Sequence, residues 1–193
     1  MADLTRANPL GGEHPFAFNL AGCELRELPL VAKLRLQAMR GESAALAAEV
    51  RSFLGEMPNR SQGDDPCILW RAPDDWLAVS STRSAEELTR FLGERLAGAP
   101  VVLADVSSTS AVLELRGEQA LEVLARDCTL DLEGSAVPPG ACAQTMIAQL
   151  TVLIHRPGSG DCWHLYVDRT AARHLRDFLV DSALLTIGDA ETR

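Results

Sequence analysis

The sequence predicts an α+β fold made of two related strand–helix–strands–helix subdomains. Two observations carry this prediction. Short segments that alternate apolar and polar residues are interleaved with segments whose apolar residues recur at helical spacing, a pattern typical of folds that contain both sheets and helices. The second half of the chain also repeats motifs of the first half. Two copies are too few for a solenoid, so we expect a pair of similar subdomains.

The composition indicates a protein with a sizeable core. Of the 193 residues, 47% are hydrophobic and 23% are charged, which is ordinary for a globular domain. The segment 1–22 is rich in Gly, Pro and Asn and lacks periodicity, so we expect an extended N-terminal arm there. A single domain is predicted over 23–185, with subdomains at about 23–99 and 100–185, followed by a C-terminal tail over 186–193.

The first subdomain is predicted to begin with a half-buried strand over 31–37, where apolar and basic residues alternate. A helix over 42–56 places Leu46, Val50, Phe53 and Leu54 on one face. A second helix over 84–98 opens on Ser84 and Glu87, which are spaced as a capping box. The elements between them are a polar loop over 57–66 and strands over 67–71 and 76–81, joined by 72–75.

The second subdomain repeats this arrangement. Its strands are β-branched and alternating, and the helix spacing returns after each group of strands. Consecutive prolines at 138 and 139 forbid a helix there, and the segment 157–161 has the composition of a hairpin loop. The predicted strands are 101–108, 111–117, 142–156 and 162–167, and the predicted helices are 118–128 and 169–185.

The internal repeat is most regular in the hairpin and in the helix after it. Trp76 and Trp163 lie 87 positions apart, and so do Leu88 and Leu175. The pair Phe91-Leu92 recurs as Phe178-Leu179 at the same offset of 87. Upstream, Arg40-Gly41-Glu42 recurs as Arg116-Gly117-Glu118, at an offset of 76. In this motif the glycine eases the turn into a helix and Glu42 or Glu118 favours the helix start, so we interpret it as structural.

Charge and cysteine usage exclude several classes of protein. The formal net charge is −9 and the chain has one lysine, Lys33, whereas nucleic-acid binding needs clustered basic residues. The five cysteines include no C-x-x-C pair, which predicts reduced thiols in a cytoplasmic protein. No apolar run approaches the length of a membrane span, and the N-terminus lacks the apolar region of a signal peptide. We therefore expect neither nucleic acid nor membrane as a partner.

The adjacent acids Asp74 and Asp75, followed by Trp76, are a candidate general acid/base pair. Pro73 before them presets the backbone of a turn, and aspartates cap turn N–H groups. The matching loop 157–161 carries no such acid pair. We therefore interpret Asp74 and Asp75 as turn residues, and we expect the three tryptophans to be core or interface anchors.

Other candidate chemistry is incomplete. Cys162 and His164 lie on one strand face and offer two metal ligands, but no third ligand is evident, since His155 is placed across the hairpin by inference only. Ser107 and Ser108 lack the glycines of a nucleophile elbow. No glycine-rich phosphate loop occurs. The prediction is therefore that this chain has no catalytic, cofactor-binding or metal-binding residues and acts through its surface.

Several stretches, taken together, resemble the sarcosine oxidase gamma subunit family of heterotetrameric sarcosine oxidases. They are "LWRAPDDWLAVS", "DVSSTSAVLELRGEQALEVLARDCTLDL", "PPGACAQTMIAQLTVLIHR" and "WHLYVDRTAARHLRDFLVDSA". The resemblance covers about residues 67–185. The most specific pieces are Asp105-Val106-Ser107, "CTLDL" ending at Leu132, and the run from Pro139 to Thr145.

That family is similar in turn to the folate-binding aminomethyltransferase fold of glycine cleavage T-protein, which implies two swapped α+β subdomains. It also implies a non-catalytic gamma subunit of an enzyme that oxidatively demethylates sarcosine to glycine, with formaldehyde or 5,10-methylenetetrahydrofolate and hydrogen peroxide as products. The alpha, beta and delta subunits are the implied partners, and FAD, FMN, NAD and tetrahydrofolate are implied in those chains.

Two alternatives remain open from the sequence. One is a folate-binding aminomethyltransferase-like enzyme, or an RNA-repair protein on the same scaffold, acting alone. The catalytic aminomethyltransferases carry a Gly-Gly-x-x-Asp-Asp hairpin, whereas this chain has Asp161 followed by Cys162 and Trp163. The other alternative is the equivalent subunit of a complex that oxidises a related N-methylated amine.

Overall fold

The computed structural model describes residues 8–10, 14–29, 31–39, 46–55, 57–132, 137–158 and 160–191. Within these ranges the chain forms two β-sheets and four helices, which confirms the predicted α+β class. The strands are β1 (Ala17–Leu20), β2 (Cys23–Glu27), β3 (Ala32–Ala38), β4 (Ser61–Gln62), β5 (Cys67–Ala72), β6 (Asp75–Ser80), β7 (Val101–Asp105), β8 (Ser110–Arg116), β9 (Cys142–Ile147), β10 (Leu150–His155) and β11 (Cys162–Asp168). The helices are α1 (Ala48–Leu54), α2 (Ala85–Arg95), α3 (Ala120–Ala125) and α4 (Ala172–Glu191).

The chain divides into two compact units, and their bounds depart from the predicted 23–99 and 100–185. The central unit comprises residues 31–107 and 140–143, and the terminal unit comprises 1–30, 108–139 and 144–193. Strand pairing explains the departure. β7 pairs with β3 and so belongs with the first half, whereas β2 pairs with β8 and so belongs with the second half. Sequence order does not reveal these pairings.

The central unit contains a five-stranded sheet in the order β4-β5-β6-β3-β7. Adjacent strands of this sheet pair antiparallel, with Leu36 opposite Trp76 on β3 and β6. α2 carries the predicted capping box of Ser84 and Glu87 and buries Leu88 against the sheet. The strand β3 is more buried than the alternating pattern predicts, because Lys33 lies inside the unit and is 1% exposed.

The terminal unit contains a six-stranded sheet in the order β1-β2-β8-β11-β10-β9. The order of its last five strands mirrors the central sheet, since β2 takes the place beside β8 that β7 takes beside β3. Each of the two helices that follow β6 and β11 buries leucines at equivalent positions, which are Leu88 and Leu92 in α2 and Leu175 and Leu179 in α4. The repeat predicted from the sequence is therefore a repeat of topology.

The offset of 87 is confirmed and the offset of 76 is not. Trp76 and Trp163 are each the second residue of their strand, and both are buried. Opposite them lie Leu36 and Leu115, which are 79 positions apart (115 − 36). Aligning the two Arg-Gly-Glu motifs places β3 and β8 three residues out of register. The reason is that the connection from β3 to α1 is longer than the connection from β8 to α3. Residues 40–42 of the first motif lie outside the described residues.

The predicted strand over 142–156 is two strands, β9 and β10, joined by Ala148 and Gln149. Both joining residues have positive φ, at 52° and 61°, as a two-residue hairpin turn of type I′ requires. This turn usually contains Asn-Gly or a similar pair, so Ala-Gln gave no signal in the sequence.

Both predicted terminal segments contain regular structure. Residues 17–20 of the expected arm form β1, and Phe16 before it donates its backbone N–H to the buried Glu27 carboxylate at 3.3 Å. α4 continues through Glu191, well into the predicted tail over 186–193, and Thr186 is buried under the guanidinium of Arg126. In the described part of the chain, no helix is both long enough and apolar enough to span a membrane.

Candidate functional site

The terminal sheet brings together, on one face, three side chains that can bind a metal ion or exchange protons. Strand β11 pairs antiparallel with β8, so Glu114 lies directly opposite His164, and Arg116 lies opposite Cys162. Alternate residues of a strand share a face, which places Cys162 and His164 side by side with Glu114 across from them. The thiol sulfur, an imidazole nitrogen and a carboxylate oxygen lie within 4.8 Å of one another. We call these three residues the β8–β11 cluster.

The Glu114 carboxylate is the centre of the charge network in this cluster. Its Oε1 accepts hydrogen bonds from the Nε atoms of Arg26 and Arg116, both at 2.6 Å. Its Oε2 is 3.0 Å from the second Arg116 donor and 3.1 Å from His164 Nε2. Burial raises the pKa of Glu114, but these hydrogen bonds lower it further than burial raises it, so the pKa lies below its usual value.

The neighbouring side chains are held in neutral forms. Burial lowers the pKa of His164, although the hydrogen bond to Glu114 opposes this shift. Burial raises the pKa of the Cys162 thiol, and the Glu114 charge adds to the effect. His155 pairs with His164 across the hairpin, as inferred from the sequence, and burial lowers its pKa to about 4. A neutral thiol and a neutral imidazole therefore face an ionised carboxylate.

An open cleft of about 640 Å³ lies over the cluster. The cleft is formed by the ends of β8 and β11 and by the loop between β10 and β11. Its polar lining residues are Glu114, Arg116, Glu118, Asp161, Cys162 and His164. Solvent therefore reaches the cluster, although Glu114 itself has only 3% of its side chain exposed.

The acid pair that the sequence singled out lies in the central unit and has two separate roles. Asp74 is the turn residue, with a φ of +64°, as predicted. Asp75, predicted as a turn residue too, is instead the first residue of β6 and is buried. Its carboxylate accepts two hydrogen bonds from Arg35, at 3.0 and 2.9 Å, and Arg71 lies 3.5 Å away. The Asp75 carboxylate therefore links β6 to its neighbours β3 and β5.

The remaining candidates serve the backbone. Ser107 is buried, and its hydroxyl accepts the backbone N–H of Lys33 at 2.9 Å, which ties the end of β7 to β3. Ser108 is exposed beside it. All five cysteines are described, and all are free thiols, as predicted. Burial raises the pKa of Cys67 to about 11 and that of Cys142 to about 12, so neither is an activated nucleophile.

Glu114 is the residue that the sequence analysis missed. The pair Cys162 and His164 was recognised, but the third donor comes from a strand about fifty residues away whose register is not written in the sequence. A signal was nevertheless present, because Glu114 and Arg116 interrupt a buried strand at alternate positions. Two neighbouring strands that each carry polar residues on one face predict a polar site wherever the strands pair.

Comparison with known proteins identifies the family. Residues 38–184 match the model of the "Sarcosine oxidase, gamma subunit family". The chain belongs to that family. A sarcosine oxidase gamma subunit from Arthrobacter sp. is 31% identical over 166 residues, which cover 82% of this chain and 78% of the relative. A gamma subunit from Corynebacterium sp. (strain P-1) is 29% identical, with coverage of 82% and 79%. The family resemblance seen in the sequence is thereby confirmed.

Solved structures support the fold of this gamma subunit family member. A chain of the heterotetrameric sarcosine oxidase from Corynebacterium sp. U-96 superposes with a TM-score of 0.71 at 24% identity, covering 83% of each chain. The glycine cleavage aminomethyltransferase T from Bartonella henselae superposes with a TM-score of 0.59 at 16% identity, covering 80% of this chain and 44% of that one. The predicted likeness to the aminomethyltransferase fold is confirmed at the level of fold.

Proposed function

We propose that this chain is a non-catalytic gamma subunit of a cytoplasmic heterotetrameric sarcosine oxidase. The observation that carries the proposal is the family match over residues 38–184, joined to relatives of similar length that are gamma subunits of this enzyme. The enzyme converts sarcosine to glycine, with formaldehyde or 5,10-methylenetetrahydrofolate and hydrogen peroxide as products. The partners in this proposal are the alpha, beta and delta subunits.

In this proposal the redox chemistry belongs to the partner chains. A flavin removes hydride from the N-methyl group, and FAD, FMN, NAD and tetrahydrofolate are held outside this subunit. One observation that supports this division is that the Asp75 carboxylate, from the acid pair singled out in the central unit, is held by Arg35 and Arg71. In the terminal unit the corresponding loop carries Asp161 next to Cys162, without a second acid. These residues do not fit a folate–amine adduct.

Exposed apolar side chains offer surfaces for the partner chains. On α4 of the terminal unit, Leu184 and Leu185 are 51% and 59% exposed. In the central unit, Met39 just after β3 and Val102 on the edge strand β7 are 58% and 63% exposed. Stable subunit interfaces are more apolar than free surface, so we place partner contacts at both positions.

The test is assembly. Co-expression with the three partner chains is expected to yield one complex that contains this subunit. Omitting this chain is expected to lower the thermal stability of the complex more than the turnover of the intact fraction. Replacing Leu184 and Leu185 with Glu is expected to reduce co-purification, whereas Arg173→Glu on an exposed position of the same helix leaves it unchanged. A chain that stays monomeric beside all three partners contradicts the proposal.

The fold likeness to aminomethyltransferase T favours one second candidate, a folate-binding enzyme that acts alone. Calorimetric titration of the isolated chain with tetrahydrofolate separates the two functions. The gamma subunit role predicts no heat of binding, and a saturating heat at one equivalent favours the second candidate. Assaying the complex on sarcosine and on other N-methylated amines then identifies the substrate.

A further inference from the structure

The β8–β11 cluster has the chemical composition of a transition-metal site. Cysteine sulfur, histidine nitrogen and a glutamate oxygen are the three donor types that Zn²⁺ and similar divalent ions accept together. All three side chains come from paired strands, which hold ligands more firmly than loops do. They also line an open cleft, so an ion can enter and keep a water ligand.

We propose that Glu114, Cys162 and His164 form a binding site for a divalent transition-metal ion such as Zn²⁺, with a fourth coordination position facing the cleft. Three protein ligands and one open position are typical of zinc sites that bind water or substrate. This inference does not depend on the gamma subunit role, because it concerns side chains of this chain and its test measures metal binding.

The distances suit this assignment. Ligand atoms around a tetrahedral zinc ion are about 3.3 to 3.7 Å apart, given bonds of about 2.0 to 2.3 Å. His164 Nε2 and Glu114 Oε2 are already 3.1 Å apart, and every donor atom lies within 4.8 Å of the other two. The thiol therefore needs a shift of about one ångström, which a side-chain rotation supplies.

The two arginines beside Glu114 do not exclude a cation. Arg26 and Arg116 both bind Oε1 at 2.6 Å, so they orient the carboxylate in the way that outer partners commonly orient metal ligands. Arg116 also reaches Oε2 at 3.0 Å and hydrogen-bonds the Cys162 thiol, so in this proposal its half-exposed side chain moves aside when the ion binds. Glu118 and Asp161 line the cleft together with Glu114 and Arg116, and Arg26 binds Glu114 from outside it, so three carboxylates accompany two guanidiniums. The local formal charge is therefore negative even before the thiol ionises.

The experiment uses Co²⁺ as the probe, because a cobalt–thiolate bond gives a charge-transfer absorption band and a tetrahedral ion gives visible bands. The full chain is titrated with Co²⁺ and then with Zn²⁺, and binding is followed by absorbance and calorimetry. We expect one equivalent of Co²⁺ with a thiolate band, and displacement by Zn²⁺. Cys162→Ser should abolish the band, and His164→Gln should weaken binding by more than about 100-fold, since loss of an outer partner alone costs 10- to 100-fold.

Cys128→Ser is the matched control, because Cys128 is a partly buried thiol of the same unit outside the cluster. This variant should keep the band and the affinity. Absence of binding by the wild-type chain, a band that survives Cys162→Ser, or full affinity in His164→Gln would each overturn the proposal. Circular dichroism checks that each variant folds. If Glu114→Gln does not fold, the variants of the partly exposed Cys162 and His164 still test the proposal. In assembled complexes, metal content is compared between wild type and Cys162→Ser, so loss of the metal is distinguished from loss of assembly.

Discussion

At matching positions, the two sheets carry different polar side chains. In the central unit, Arg35 on β3 pairs with Asp75 on β6, and the two charges satisfy one another. In the terminal unit, the matching positions hold Glu114 and Cys162, with His164 added in place of Leu77. Arginines hold the carboxylate in both arrangements, but the second also places a thiol and an imidazole beside it under an open cleft. The repeated scaffold thus carries a buried ion pair at this position in one copy, and the site proposed above for a metal ion in the other.

The largest effect on the free energy of unfolding is expected at Gly117, which forms the turn directly after β8, beside the β8–β11 cluster. Gly117 has a φ of +113°, and a Cβ there would lie 2.2 Å from the carbonyl oxygen of Gly22. Gly117→Ala should lower the free energy of unfolding by about 3 kcal/mol or more, from backbone strain and overlap combined. Urea denaturation followed by tryptophan fluorescence measures this change.

Gly93 is the matched control in the central unit. It lies inside α2, and a methyl group added at its Cα would meet no atom within 4 Å apart from its own helix backbone. Gly93→Ala should therefore raise the free energy of unfolding by about 0.5 to 1 kcal/mol, since alanine is the better helix former. Equal effects at Gly93 and Gly117 would show that the turn after β8 is not constrained.

The next largest effect tests the two charge arrangements directly. Glu114→Gln should lower the free energy of unfolding by about 2 kcal/mol, because a carboxylate with 3% of its side chain exposed loses its charge beside two arginines. Asp75→Asn should cost about 1 kcal/mol, since the side chain is more exposed, at 11%, and one arginine lies 3.5 Å away. Thermal and urea denaturation of both variants measure the difference, and a larger loss for Asp75→Asn contradicts this ranking.

A third prediction compares the junctions between strand and helix in the two units. Before α2, the carboxylate of Asp65 binds Ser80 and accepts the backbone N–H groups of Ser81 and Thr82 at 3.0 and 3.1 Å. Before α4, the exposed Asp168 accepts hydrogen bonds from Thr170 only two residues away. Asp65→Asn should cost about 1.5 kcal/mol at pH 7 and Asp168→Asn a few tenths, because the first removes a contact between distant segments.

The pH dependence of the Asp65 effect has a definite sign. Burial raises the pKa of Asp65, but the hydrogen bonds from Ser80, Ser81 and Thr82 outweigh it, so the pKa lies below the usual 3.8. Because the folded state binds this proton less readily than the unfolded state, the stabilisation is present above about pH 4 and disappears as the pH falls through the folded pKa. Denaturation at pH 7 and at pH 3 should therefore show a smaller difference between wild type and Asp65→Asn at the lower pH.

The smallest effect concerns the starts of α2 and α4. Ser84 caps α2 by accepting the backbone N–H of Glu87 at 3.2 Å, whereas α4 follows directly after Ala171, which has no side-chain oxygen. Ser84→Ala should cost about 1 kcal/mol, and Ala171→Ser should gain about 0.5 kcal/mol. Urea denaturation measures both, and an unchanged stability for Ser84→Ala would show that α2 is held by packing of Leu88 and Leu92 instead.

Sequence patterns predicted the elements whose signals are local. The capping box at Ser84, the buried stripe of α2 and the tryptophan positions of both sheets follow from spacing within single segments. The repeat at offset 87 was confirmed because strand, hairpin and helix are contiguous in both copies. The family resemblance, which rests on ordered short motifs, was confirmed as well.

The features that sequence patterns missed depend on partners far along the chain or on backbone conformation. β2 pairs with β8, which lies about ninety residues further along the chain, so sequence patterns did not predict this pairing or the unit boundaries that follow from it. Ala148 and Gln149 adopt positive φ because the strands on either side pair, against their own preference. Glu114 belongs to the candidate site because the register of β8 against β11 places it opposite His164. Alternation in the sequence predicts which face of the sheet a side chain lies on. It does not predict which residue of a neighbouring strand lies opposite that side chain.

The division of the terminal unit among three chain segments has a consequence for its synthesis. All strands of the central sheet lie within residues 32–105, so a nascent chain can complete that sheet early. The β1–β2 hairpin is made first, yet Leu25 is buried only when Leu115 arrives ninety residues later (115 − 25). At bacterial or eukaryotic elongation rates this interval is roughly 5 to 20 s. During translation, the β1–β2 hairpin is therefore without its partner strand β8 until residues 110–116 have been made.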